Sequence, residues 1–195
     1  MPRTKSISDD ALLDGCRAMF LREGLGVSTR RLAHSVGVSE GVLFQRFGTK
    51  DALFFACMQL PRPDLEQALD RAWAHDSVHE GLALVAEAAL EYLRAQMPIL
   101  MLVLAHPRHR DGSWRDDDGH HLLEDARTLH EPFARLLGRA RPDMDPAHLT
   151  ATVGLVVSAV LTRALHEQLG VDHRHDQAQW LGTTIAALGR GFDER

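Results

Sequence analysis

The sequence predicts an all-α chain, in which a small N-terminal three-helix domain containing a helix-turn-helix precedes a larger helical domain, with about nine helices in all. Apolar residues recur at spacings of three and four along most of the chain, as in amphipathic helices. No alternation of apolar and polar residues longer than a few positions competes with this pattern. Residues 28–50 contain two short helical segments joined by a turn, the layout of a helix-turn-helix. The first domain is therefore placed at residues 1–48 and the second at residues 49–195.

The first helix is predicted from Ser8 to about Arg22. Asp9 and Asp10 suit the positive N-terminal end of its dipole. Residues 24–26, Gly-Leu-Gly, end it. Its buried stripe is expected to comprise Leu12, Leu13, Cys16, Met19 and Phe20.

Two serines and a glycine define the helix-turn-helix. Ser28 and Ser39 are good N-caps for the second and third helices, because a hydroxyl can accept a free backbone N–H. Gly37 stands at the boundary between them, where a left-handed residue is often needed. The apolar side chains expected to face the small core of this domain are Leu32, Ala33, Val36, Leu43 and Phe47.

The second helix of a helix-turn-helix enters the DNA major groove. Gly41, Val42, Phe44 and Gln45 lie on the opposite or flanking sides from the buried stripe and are predicted to face the groove. Gln45 is the preferred base reader, since a carboxamide can pair bidentately with adenine. Glu40 could accept from cytosine or only complement the helix dipole. Phosphate contacts are expected from Arg30, Ser39, Arg46, Thr49 and Lys50.

The segment 8–56 resembles the TetR family of bacterial transcriptional regulators. The matching residues are Leu32-Ala33, Gly37-Val38-Ser39, Gly41, Leu43-Phe44, Phe47 and Lys50-Asp51-Ala52-Leu53-Phe54. The family usually has Tyr at the position of Phe44. A phenol can hydrogen-bond a phosphate whereas a phenyl ring cannot, although it can contact a thymine methyl. The resemblance implies a ligand-responsive regulator, expected to be a repressor, that binds a palindromic operator as a homodimer and is released by a small apolar molecule.

Charge is distributed unevenly along the chain. The formal net charge is −5, but residues 1–50 carry eight Lys/Arg and five Asp/Glu, a net +3. The remainder carries 14 basic and 22 acidic side chains, a net −8. A basic head on an acidic body would orient the head toward phosphate, which fits double-stranded DNA as the partner.

The chain is expected to be cytoplasmic and to have no membrane partner. Apolar runs are short or interrupted by charge, and the N-terminus lacks a signal-peptide core. The two cysteines, Cys16 and Cys57, lie on helical patterns. Two buried thiols in a reducing compartment are therefore preferred to a disulfide or a redox switch.

The fourth helix is predicted to begin after Thr49, with Pro61 and Pro63 kinking or breaking it. The helical pattern resumes at residues 65–73. The segment 77–80, Ser-Val-His-Glu, is a capping box for a fifth helix that runs toward residue 97. Pro98 is predicted to open a sixth helix, because proline suits the first turn.

A polar loop is predicted at residues 106–119. A seventh helix is expected over about 120–139, with a kink or restart at Pro132. Asp145-Pro146 is an N-cap followed by proline and opens an eighth helix of about 24 residues. The last helix is predicted over roughly 174–190.

The two long C-terminal helices are predicted to form a homodimer interface. Small residues at spacings of three and four allow close helix approach, and the resemblance implies dimerisation through a four-helix bundle. Burial inside the monomer is the alternative for each residue. The predicted interface residues are Ala151, Gly154, Leu155, Ser158, Leu161, Thr162, Leu165 and Trp180.

A small-molecule effector pocket is predicted in the middle of the chain only because of the resemblance. Aromatic, sulfur and imidazole groups collect there, and methionine adapts to irregular ligands. Ordinary core packing is the alternative. The candidate effector-binding residues are Trp73, Met97, Met101, His106 and Trp114.

Twelve histidines raise the question of a metal site. A zinc or nickel site needs three or four converging donors. Neither the pair His106 and His109, nor His120 and His121, nor the segment 172–176 has a helical i,i+4 histidine pair. Solvated histidines are therefore preferred, and no metal or cofactor is expected.

An enzyme is not expected, because no glycine-rich phosphate loop, nucleophile elbow or zinc-protease helix occurs. Three classes remain: a ligand-responsive repressor, a DNA-binding regulator without an effector, and a helical enzyme or carrier. A gel shift separates the first two from the third. Release of the same DNA by a ligand separates the first from the second.

Overall fold

The computed structural model describes residues 7–59, 64–75, 77–110, 128–171 and 177–189, and within these ranges every regular element is a helix. The predicted all-α class is confirmed. The helices are α1 Asp9–Glu23, α2 Thr29–Ser35, α3 Glu40–Phe47, α4 Lys50–Cys57, α5 Glu66–Trp73, α6 Val78–Ala105, α7 Pro107–Arg110, α8 His130–Ala140, α9 Pro146–Gln168 and α10 Gln177–Gly189.

The chain divides into two units. Unit 1 comprises Met1–Leu60 and Pro98–His121, and unit 2 comprises Pro61–Met97 and Leu122–Arg195. Helix α6 belongs to both, and the division falls at Pro98.

Local side-chain caps fix where the helices of unit 1 begin. The hydroxyl of Ser28 accepts the N–H of Arg31 at 3.3 Å, and that of Thr49 accepts the N–H of Ala52 at 3.0 Å. Each cap satisfies one of the donors that a helix start leaves free. The residues that cap α1 to α4 are Ser8, Ser28, Ser39 and Thr49, and the last three are predicted as caps from the sequence.

Close packing of α1 against α2 depends on Gly15. A Cβ at this position would lie 2.4 Å from Cγ1 of Val36, so only glycine lets the Val36 side chain pack there. Phe20 of α1 and Phe54 of α4 meet edge to face, with ring centroids 5.1 Å apart. Both rings are fully buried, so α1 is fixed against α4 as well as α2.

Cys16 on α1 and Cys57 on α4 are both free thiols with no solvent exposure, as expected from the sequence. A hydrogen bond with Cys16 and burial together raise the pKa of the Cys57 thiol. The backbone around Cys57 is held by Arg17, whose Nε donates to the Cys57 carbonyl at 2.5 Å. Another nitrogen of the same guanidinium donates to the carbonyl of Gln59 at 3.0 Å.

His106 is packed inside unit 1. Its ring stacks on Phe54 with centroids 4.9 Å apart and lies at the same distance from the ring of Phe55. Nδ1 accepts the N–H of Arg108 at 3.3 Å, and Nε2 lies 3.6 Å from a carboxylate oxygen of Asp51. Both ring nitrogens therefore face protein groups.

Unit 2 has an aliphatic core from α5, α6, α8, α9 and α10. Helix α6 approaches α5 closely because residue 81 is glycine, where a Cβ would lie 3.2 Å from the Ala72 carbonyl oxygen. The buried apolar side chains of this unit include Leu69, Leu82, Val85, Leu90, Leu129, Phe133, Leu137, Val153, Val156, Val157, Val160 and Ile185.

A charged network crosses unit 2. Arg94 of α6 donates two hydrogen bonds to the Glu167 carboxylate of α9, at 2.7 and 3.0 Å. Arg163, one turn before Glu167, donates to it at 2.6 Å. Only 7% of Arg163 is exposed, and its guanidinium lies 5.5 Å from the ring centroid of Trp180. Hydrogen bonds from Arg94 and then Arg163 lower the pKa of Glu167 to about 2.

The predicted helix boundary at Pro98 is wrong, because α6 continues through it to Ala105. A proline inside a helix removes one N–H and costs about 3 kcal/mol. Here Met97 and Ile99 on either side are 4% and 1% exposed. Burial of the flanking side chains outweighs the lost bond, and this tertiary effect is not visible in the local sequence.

One further prediction needs correction. The loop predicted at 106–119 contains helix α7 at its start, and its residues 111–119 lie outside the described ranges. The restart predicted at Pro132 agrees with the structure, because α8 begins at His130 after a turn at residue 129 and Pro132 lies in its first turn. The predicted start of that helix near residue 120 and the break at residues 61–63 also lie outside the described ranges.

Helices α6 and α9 are each long and apolar enough to cross a membrane, although the sequence analysis expects no such segment. Helix α6 buries apolar side chains in both units, and α9 buries apolar side chains in unit 2, as core helices do.

Candidate nucleic-acid interface

Helices α2 and α3 form the helix-turn-helix, joined by a left-handed residue. Gly37 has φ +72°, a conformation that favours glycine. The N–H of Val38 donates to the Ala33 carbonyl at 3.0 Å and closes the turn. Leu32 of α2 and Leu43 of α3 are both buried, so each helix is anchored by one central leucine.

The side of α3 opposite Leu43 is open. Gly41 and Gln45 are exposed, and Phe44 is 45% exposed, which is unusual for so large an apolar side chain. Val42 is half-buried. The four predicted groove residues therefore lie outside the core of unit 1, and their contact with bases stays a prediction.

A side-chain hydrogen bond links the starts of the two helices. The hydroxyl of Thr29 donates to a carboxylate oxygen of Glu40 at 2.6 Å. This contact sets Glu40 beside α2 and uses one of its acceptor sites within the protein. The alternative role of Glu40 as a cytosine reader is therefore less favoured than a role in orienting α3.

The predicted phosphate-binding residues differ in whether the protein already supplies hydrogen-bond partners for their side chains. Arg46 donates to the Ile7 carbonyl and to Asp9, at 3.0 and 2.8 Å. Lys50 donates from Nζ to the Leu25 carbonyl at 2.6 Å, and the hydroxyls of Ser39 and Thr49 cap helices. Arg30 is exposed, and no hydrogen bond or ion pair to it occurs within the described ranges. Of these residues, Arg30 is the one most available to an approaching phosphate.

A basic recess of about 390 Å³, which was not predicted from the sequence, lies between α1 and α2. Arg22 and Arg31 both contact the same carboxylate oxygen of Glu23, at 3.1 and 2.7 Å, so one negative charge is shared by two guanidiniums. The adjacent arginines 30 and 31 are the feature of the sequence from which this recess could have been predicted. The recess is lined by Met19, Arg22, Arg30, Arg31, His34 and Ser35.

The candidate effector residues are divided between the units. Trp73 and Met97 belong to unit 2, and Met101 and His106 belong to unit 1. Met97 and His106 are buried, whereas Trp73 and Met101 are half-buried. Trp114 lies outside the described ranges. An effector role for these residues stays a prediction.

The predicted interface residues of α9 lie on its solvent side. Ala151, Leu155, Ser158 and Thr162 are exposed, and Leu155 is 57% exposed. The remaining ones, including Trp180 on α10, are half-buried: Gly154, Leu161, Leu165 and Trp180. The buried valines of α9 lie on its other side and pack against the rest of unit 2. Burial inside the monomer therefore does not account for the apolar and small residues on this face.

Within the part of the chain that the structure describes, no three His, Cys, Asp or Glu side chains converge as metal ligands. His120, His121 and the segment 172–176 lie outside it.

Comparison with known proteins identifies the family. A model of bacterial regulatory proteins of the tetR family matches residues 12–57. An HTH-type transcriptional repressor of Mycobacterium tuberculosis is 30% identical over 159 residues, which cover 78% of this chain and 79% of that protein. The chain belongs to the TetR family.

Solved structures share this fold. A TetR-like transcriptional regulator from Rhodococcus sp. RHA1 has a TM-score of 0.60 and 20% identity, with all of both chains covered. The regulator FadR from Bacillus subtilis, in complex with stearoyl-CoA, has a TM-score of 0.60 and 12% identity, covering 94% of this chain and 99% of that one. At these identities the likeness concerns the fold alone. As a TetR-family protein, the chain is a DNA-binding transcriptional regulator with a helix-turn-helix, and the family consists of regulators rather than enzymes.

Proposed function

We propose that this TetR-family protein is a cytoplasmic repressor without catalytic activity, which binds a palindromic operator as a homodimer and is released by a small, largely apolar molecule. The observation that carries the proposal is the open face of α3, where Gln45 and Phe44 project from a helix anchored by Leu43. The 30% identical repressor supports the sign of regulation. Residues 1–48 bind DNA in this proposal, and residues 49–195 bind the effector and dimerise.

Dimerisation follows from how a helix-turn-helix reads DNA. Two recognition helices bind successive major grooves when they are one DNA turn apart, roughly 34–36 Å, and a two-fold dimer supplies that spacing. The exposed face of α9, with Leu155 at its centre, supports this assembly. Close approach of two such faces is favoured where residues are as small as Gly154 and Ser158.

The effector is the least direct part of the proposal. The neighbour crystallised with stearoyl-CoA supports a ligand with a large apolar part, since its fold is shared. A ligand shifts a conformational equilibrium only by its differential affinity for the two states, typically about 1–3 kcal/mol. Release therefore requires that the effector bind the DNA-free conformation more tightly.

Operator recognition is tested by sequencing the genomic DNA that purified protein retains, then measuring affinity for that site and its variants. We expect Gln45→Ala to lose discrimination at one base position by about 1–3 kcal/mol, since a bidentate contact to a base edge disappears. Arg30→Ala, at the predicted phosphate contact most available in the described ranges, should instead weaken all sequences alike and reduce the slope of log affinity against log salt by about one. Gln67→Ala, which changes an exposed glutamine on α5, is the matched control and should leave both quantities unchanged. Equal weakening of every sequence by Gln45→Ala would remove Gln45 from the groove face.

Effector response is tested by calorimetry of ligand hits, with and without operator DNA. Thermodynamic linkage requires that operator weaken ligand binding by the factor by which ligand weakens operator binding. We expect an effector to show this reciprocal loss. A compound that binds equally well in both titrations is not the effector, however tightly it binds. If every hit behaves so, the protein is a DNA-binding regulator without an effector.

A further inference from the structure

Unit 2 contains a recess of about 350 Å³ where the end of α5, the start of α6 and α8 meet. This volume lies within the range of small-ligand sites, roughly 300–1,000 Å³. Trp73, Val78 and Leu136 supply apolar surface, and Ser77 and Arg139 supply polar groups. The lining thus places apolar side chains beside hydrogen-bond donors.

Among the described residues, Arg139 is the cation of this recess without a carboxylate partner. His75, which also lines the recess, contacts Glu80 at 3.1 Å. Arg135, which lies outside the lining, contacts Glu66 at 2.5 Å. Arg139 is exposed, and its guanidinium contacts an aromatic ring. A cation held in place and lacking a counter-charge favours an anionic partner.

Trp73 fixes where that cation lies. The guanidinium carbon of Arg139 is 5.2 Å from the Trp73 ring centroid, and so is that of Arg135. Cation–π contact of this kind orients Arg139 at the recess. The Trp73 indole N–H is itself buried and has no acceptor among the described residues.

We propose that this recess binds an amphipathic organic anion, a compact apolar body that ends in a carboxylate. Arg139 binds the carboxylate, with the Ser77 hydroxyl beside it, and the apolar body contacts Trp73 and Leu136. The claim that this recess binds the effector rests on the proposed function. The claim that it binds an organic anion does not, and the experiment therefore measures binding without DNA.

The test uses the full-length protein and follows the Trp73 indole N–H resonance by nuclear magnetic resonance, assigned with Trp73→Phe. Three probes are titrated at constant ionic strength. Benzoate carries both the apolar ring and the carboxylate, inorganic phosphate carries charge without a ring, and benzyl alcohol carries a ring without charge. We expect benzoate to shift the resonance saturably and to bind at least about tenfold more tightly than either other probe, because both parts of the site are used.

Arg139→Gln should weaken benzoate binding by about tenfold or more, since a charge-assisted hydrogen bond is lost. Arg71→Gln, which removes an exposed arginine of α5 outside the recess lining, should leave it unchanged. Equal effects of the two variants, equal affinity for the three probes, or an unmoved Trp73 resonance would each overturn the site. Benzoate binding that fails to alter operator affinity leaves the site standing and removes its role as the effector seat.

Discussion

Gly154→Arg should convert the proposed dimer into a folded monomer that no longer binds a full palindromic operator. In the single chain no heavy atom lies within 4 Å of a Cβ built at Gly154, so a larger side chain meets open space there. In a close-packed interface the same arginine would be buried without a partner. Such a charge costs about 3–5 kcal/mol, which raises the dimer dissociation constant more than about 100-fold. Sedimentation equilibrium measures the change.

Gly154→Ala is the control for this prediction. It adds one methyl group and raises helix propensity by about 1 kcal/mol, so the helix content of both variants should be at least that of the parent chain. We expect the alanine variant to remain a dimer. A normal dimer of the arginine variant would show that this face of α9 points away from the partner.

Glu167→Gln should destabilise the protein by about 2–3 kcal/mol at neutral pH. The carboxylate accepts hydrogen bonds from Arg94 and Arg163, and its replacement leaves the buried Arg163 without this counter-charge. The figure is set below the usual cost for a buried pair because the Glu167 side chain is 23% exposed. Urea unfolding measures the loss, and Glu131→Gln, at an exposed acid of α8, is the matched control.

Acid should abolish most of the difference between Glu167→Gln and the parent chain. The pKa of Glu167 is lowered from 4.5 to about 2 in the folded protein, so its contribution is fully present above pH 4.5 and is lost as the pH falls toward 2. Urea unfolding at successive pH values in this window should show the two proteins converging. A difference that stays constant across it would mean that the charge of Glu167 is not what stabilises unit 2.

Features set by neighbours along the chain were predictable from sequence. The caps Ser28, Ser39 and Thr49 act on backbone groups three residues away, so spacing alone locates them. The same holds for Asp145, which accepts from the N–H groups of residues 147 and 148. The outward side of α3 also follows from helical periodicity once Leu43 is placed inside.

Features set by contacts between residues far apart in the sequence were not predictable from it. Arg94 and Glu167 are 73 residues apart, and Lys50 is 25 residues from the carbonyl that it contacts. Neither pair leaves a local signal, so the sequence predicts only a phosphate contact for Lys50. The continuity of α6 through Pro98 has the same origin, since burial of both neighbours decides it. The Arg139 recess likewise requires α5, α6 and α8 to be placed together.

The two buried cysteines allow the local opening of unit 1 to be measured. Cys16 and Cys57 are the chain's two cysteines, both belong to unit 1, and neither is exposed to solvent. A thiol reagent can therefore react only after α1 and α4 separate locally. The alkylation rate of the unmodified protein measures the opening free energy of this unit alone, without an engineered label. Slower alkylation in the presence of operator would report how much DNA stabilises the helix-turn-helix.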